Sequence, residues 1–111
     1  MRTGARLADR DLRQGTRFWV RHAARCEHRV LGDIVLQLSN VSRIGFMVEA
    51  RAGVERGDRL MVHLPAAVHR EAFCTWTSHQ RAGFQFERTV REEEFVYLIE
   101  ALKGTPIRRP V

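Results

Sequence analysis

The sequence predicts a mainly β fold: a six-stranded antiparallel β-barrel with a C-terminal α-helix packed against it. Three observations predict it. From residue 17 to residue 87, short runs alternate apolar with polar residues, and glycine, proline, asparagine or aspartate punctuates them. Beyond residue 88 the period lengthens to that of a helix, with Val90, Phe95, Leu98, Ile99 and Leu102 in one stripe. The chain has 111 residues, 44% of them hydrophobic, which suits one small core.

The elements follow in order. Residues 1–16 are polar, rich in arginine, aspartate and glycine, and read as a flexible N-terminal segment. Residues 17–104 form the barrel and helix, and residues 105–111, with Pro106 and Pro110, a loose tail. The first strand runs from Phe18 to Glu27, with Phe18, Val20, Ala24 and Cys26 on its buried face. Gly32–Asn40 is the second strand and Gly45–Ala50 the third. Arg59–Leu64 alternates and is stopped by Pro65, Glu71–Ser78 carries Phe73 and Trp76, and Gly83–Glu87 returns from a hairpin. Trp76 is expected to pack in the core. Thr89-x-x-Glu92 has the form of a capping box, which places the helix over Thr89–Lys103.

The formal charge is +6, and Lys103 is the sole lysine, so the positive charge is almost wholly arginine. A guanidinium presents a planar fork that fits a phosphate or the edge of a guanine, so an anionic partner is favoured. Cys26 and Cys74 form no CxxC and sit in apolar alternation, as small core residues do. Residues 1–11 lack the apolar run of a signal peptide, and no stretch reaches bilayer length. A cytoplasmic protein with no membrane association is expected. The five histidines show no metal-ligand spacing, and no nucleophile-base order or phosphate loop is present, so neither an enzyme nor a cofactor is expected.

One stretch stands apart. In Leu38-Ser-Asn-Val-Ser-Arg-Ile-Gly-Phe46, Asn40 and Ser42 lie two apart and Gly45 follows. On a strand their amide and hydroxyl share one face beside a residue with no side chain, a shallow polar seat. Taken alone, the same residues make an ordinary turn. Just before the first strand, Arg13-Gln14-Gly15-Thr16-Arg17 sets two arginines four apart. Arg21, Arg25 and Arg29 continue that spacing, so Arg21 with Arg25, and Arg25 with Arg29, are rival pairs.

In this order and spacing the motifs resemble those of the PilZ domain, a bacterial module that binds the second messenger cyclic di-GMP. Asn40-Val41-Ser42-Arg43-Ile44-Gly45 is similar to that family's Asp/Asn-x-Ser-x-x-Gly motif, and Arg13 with Arg17 to its Arg-x-x-x-Arg pair. The rival pairs rank lower because they fall within the first strand. The resemblance implies that Arg13 and Arg17 bridge phosphate and the O6/N7 edge of guanine. It implies that Asn40 and Ser42 hydrogen-bond the ligand, that Gly45 permits close approach, and that ordering of the N-terminal segment is the signal. The expected partners are cyclic di-GMP and an effector protein, with the chain a monomer or a ligand-dependent dimer. The alternative is a degenerate PilZ domain acting as a protein adaptor without nucleotide. A nucleic-acid-binding barrel using Phe18, Trp19 and Trp76 is disfavoured, because these aromatics read as core.

Overall fold

A computed structural model of the chain describes residues 12–107. The expectation of a flexible segment at residues 1–16 lies outside the described residues for 1–11, as does that of a loose tail for 108–111.

The fold is a closed barrel. Its strands are β1 (Phe18–His28), β2 (Gly32–Val41), β3 (Gly45–Val48), β4 (Arg59–Leu64), β5 (Val68–Ser78) and β6 (Arg81–Phe86), followed by α1 (Glu92–Leu102) and a short β7 (Thr105–Pro106). All pairings are antiparallel, in the order β2-β3-β6-β5-β4-β1, and β1 returns to β2 to close the wall. Closure leaves no long free edge, which is how a small sheet of this kind keeps its backbone hydrogen bonds satisfied. The alternation read from the sequence fills the interior. Phe18, Leu36, Leu38, Leu60, Val62 and Phe84 are buried, and the Phe46 and Phe84 rings stack at 4.8 Å.

α1 buries Phe95, Leu98, Ile99 and Leu102, and the Phe95 ring meets that of Phe18 edge to face at 5.4 Å. The helix thus plugs one end of the barrel. It begins later than Thr89: the N-cap is Arg91, and the Glu94 carboxylate reaches back to accept from the Arg91 amide at 3.3 Å. The expected capping pair was two residues too early, because the backbone is still extended at Arg91 and Val90 is tied to the loop before β3. There the Val90 amide donates to the Arg43 carbonyl at 2.9 Å.

Strand limits also differ from expectation, with β3 ending at Val48 and β6 starting at Arg81. β5 starts at Val68, since Ala66 and Ala67 adopt left-handed φ of 59° and 57° and turn the chain immediately after Pro65. Alanine carries no turn signature, so this hairpin is silent in the sequence. At the C-terminus, where a loose tail was expected, Thr105–Pro106 pairs with Phe18–Trp19 and the Ile107 amide donates to the Arg17 carbonyl at 2.8 Å. No helix among the described residues is long and apolar enough to cross a membrane.

Candidate functional site

Three of the five singled-out residues meet at one end of the β2–β3 hairpin, with Asn40 directly beneath them. Arg17, Ser42 and Gly45 line a cleft of about 220 Å³, whose other walls include Thr75, Trp76, Gly83 and Gln85. Among the described residues no carboxylate lines it, and Arg17 is the one charged side chain that does.

A bulge decides where Asn40 points. From Leu38 to Asn40 β2 advances two residues while β3 advances one, from Val48 to Met47. Leu38 and Val41 therefore both face the core, and Asn40 turns to the outer wall opposite Trp19 and Met47. There it is only 4% exposed, and its Oδ1 accepts from Arg17 Nη1 at 2.7 Å. Asn40 was expected to hydrogen-bond a ligand, and in this structure its Oδ1 is engaged by Arg17. The amide lies under the guanidinium and holds it, leaving the other donors of the fork for something else.

Ser42 lies past the strand end. Its hydroxyl oxygen accepts from the Ile44 amide at 3.1 Å, and its own amide donates to the Gly45 carbonyl at 2.8 Å, closing a tight turn. Ser42 is only 3% exposed, yet it lines the cleft. Gly45 does permit a close approach, but by β6: a Cβ there would collide with the Phe84 carbonyl oxygen. Arg13 sits exposed in the turn before β1, where its carbonyl accepts from the Thr16 amide at 3.1 Å, and it does not line the cleft. Two of the three rival arginines are engaged elsewhere. Arg25, within β1, lies 3.4 Å from Glu27 and 3.8 Å from Asp33, and Arg29 donates to Glu71 at 2.8 Å.

The tryptophans correct the sequence reading. Phe18 is core, but Trp76 is 38% exposed and Trp19 is 53% exposed. A second bulge, between Cys74 and Trp76 in β5, reverses the parity that would have buried Trp76. Its indole lies on the bare backbone of Gly83, where any Cβ would collide with it, and forms a wall of the cleft.

Arg43 is the functional candidate the sequence reading passed over. Its Nε donates to the Val90 carbonyl at 2.8 Å and its Nη1 to the Leu12 carbonyl at 2.8 Å. One guanidinium thus joins the motif loop, the approach to α1 and the segment carrying Arg13. Its only sequence signal was its place between Ser42 and Gly45.

Among the described residues no His, Cys, Asp or Glu group is arranged to hold a metal ion. Burial pushes the Cys26 thiol up to about 12, which makes it inert as a nucleophile. No protein-family model, curated protein or solved structure matches the chain.

Proposed function

We propose that this chain is a cyclic di-GMP receptor of the PilZ type, with the ligand seated in the Arg17 cleft. The observation that carries the reading is the Arg17 guanidinium, fastened at one nitrogen by Asn40 and facing a cleft that no carboxylate lines among the described residues. A fork oriented in advance loses less freedom on meeting a phosphate or guanine edge than a free arginine does. Ser42 adds a hydroxyl donor and the Trp76 indole an apolar wall for a base. Arg13 closes over the ligand from the segment before β1. Because Arg43 grips the Leu12 carbonyl, ordering of that segment reaches the approach to α1.

The test is titration calorimetry with cyclic di-GMP on the parent, Arg17→Ala and Arg25→Ala. The reading expects saturable heat for the parent and Arg25→Ala, with at least tenfold weaker binding for Arg17→Ala. If the parent gives no heat at millimolar ligand, the receptor reading fails and the adaptor reading replaces it.

A further inference from the structure

The cross-strand register sets an unbroken row of residues around the outside of the barrel. Trp19 on β1 pairs with Asn40 on β2, Asn40 with Met47 on β3, Met47 with Gly83 on β6, and Gly83 carries the Trp76 indole. Asn40 and Met47 therefore stand between two exposed indoles. On the Trp76 side lies the Arg17 cleft. On the Trp19 side lies a second groove of about 620 Å³, whose lining includes Trp19, Arg21, Met47, Glu49 and Arg81.

This second groove has its own chemistry. Trp19 is more than half exposed, and no aromatic partner covers it among the described residues. Arg21 is exposed and pairs with no acid among the described residues. Arg81 lies 3.7 Å from Glu49, both of them largely exposed, so the contact holds neither firmly. An indole face accepts any base by stacking. A guanidinium beside a carboxylate is more selective. Guanine offers O6 and N7 to the one, and its N1–H and exocyclic amine to the other, whereas adenine cannot match that order of donors and acceptors.

We propose that the Trp19 groove is a second base seat, taking the other guanine of the dinucleotide held at Arg17. Trp19 stacks on that guanine, Glu49 accepts from its N1–H and amine, and Arg21 or Arg81 donates to O6 and N7. The proposal rests on the receptor reading above and adds residues outside both arginine and asparagine motifs. Neighbouring strands are about 4.8 Å apart, so β1 and β6, three spacings apart, lie roughly 14 Å from one another measured along the curved barrel wall. That separation calls for a ligand whose two bases are splayed across Asn40 and Met47 rather than stacked together.

Trp19 and Trp76 are the only tryptophans, so each can be followed alone. Trp76→Phe leaves Trp19 as the sole indole emitter and keeps a ring on the cleft wall. On titration with cyclic di-GMP, its emission is expected to change with the midpoint found by calorimetry. Trp19→Ala is expected to weaken binding roughly tenfold, the effect of losing one stacked base, with an unchanged denaturation midpoint because the side chain lies outside the core. Glu49→Gln is expected to narrow the preference for cyclic di-GMP over cyclic di-AMP. The proposal stands only if Trp19 emission responds and Trp19→Ala binds more weakly. If Trp19→Ala binds within twofold of the parent, or Trp19 emission stays constant through saturation, the groove is not part of the site. In that case heat from the parent and weak binding by Arg17→Ala still leave the receptor reading in place. A parent that takes up no ligand removes both.

Discussion

Two polar pairs on this barrel look alike in outline and differ in what they leave over. At the β1–β2 turn, His28 is 6% exposed, with its Nδ1 accepting from the Val30 and Leu31 amides at 3.0 and 2.9 Å. That assigns the ring proton to Nε2, which donates to Asp58 Oδ2 at 2.8 Å. The same oxygen accepts from the Glu55 amide at 3.0 Å. Both ring nitrogens are occupied, and the pair knits two turns together. At the candidate site, Arg17 spends one donor on Asn40, and no other side chain among the described residues engages its guanidinium. Saturated hydrogen bonding marks a structural joint. A fork held at one prong and open at the rest marks a place to receive something.

The largest test of that contrast is His28→Ala. It strands two backbone amides and loosens Asp58, so it should cost about 2–4 kcal/mol in chemical denaturation while leaving ligand affinity within twofold. Unchanged stability would break the structural half of the comparison. Gly45→Ala comes next. Forcing a Cβ against the Phe84 carbonyl should cost about 1–3 kcal/mol and also weaken binding, because β3 carries the cleft wall.

Arg17→Ala should show the reverse profile. Its denaturation midpoint should fall only modestly, since one part-buried hydrogen bond to Asn40 is lost. Affinity for cyclic di-GMP should fall at least tenfold, or about 1.4 kcal/mol, with Arg17→Lys recovering only part. Equal binding by Arg17→Ala and the parent would overturn the receptor half.

The smallest effect is a pH dependence. The Glu55 amide, and after it His28, holds the Asp58 carboxyl below its ordinary value of 3.8 against the opposing effect of burial. A lowered carboxyl contributes stability that is complete above its unfolded value and fades as pH falls through the folded one. The parent should therefore lose part of its stability below about pH 4. Asp58→Asn should remove that part. His28→Ala should remove less, because the Glu55 amide dominates. A pH profile identical in Asp58→Asn and the parent would contradict the assignment.

Much of this fold could be read from alternation, because β1, β2, β4 and β6 keep their inward faces in step over most of their lengths. Leu60, Val62 and Leu64 all point where the pattern put them. The misreadings cluster where one residue is inserted. The bulge at β2 turns Asn40 outward and the bulge at β5 turns Trp76 outward, and neither has a composition signal. The candidate site is built at those two irregularities. Arg17, Ser42 and Gly45 were found from their motifs, yet the roles of Asn40 and Gly45 depended on neighbours distant in sequence. Arg43 was missed for the same reason: its partners Leu12 and Val90 are fixed by tertiary structure alone.

The helix that plugs the barrel is stitched at both ends to the two motif segments. Ahead of its first turn, Val90 and Arg43 exchange hydrogen bonds, the amide giving at 2.9 Å and the guanidinium returning at 2.8 Å. Beyond its last turn, the Ile107 amide is bonded to the Arg17 carbonyl. α1 is therefore a crossbar slung between the asparagine loop and the arginine strand. If a bound molecule draws those anchor points together or apart, the bar must tilt or one stitch must open. Its outer face, with Tyr97 65% exposed, would carry that movement to the surface like the needle of a gauge.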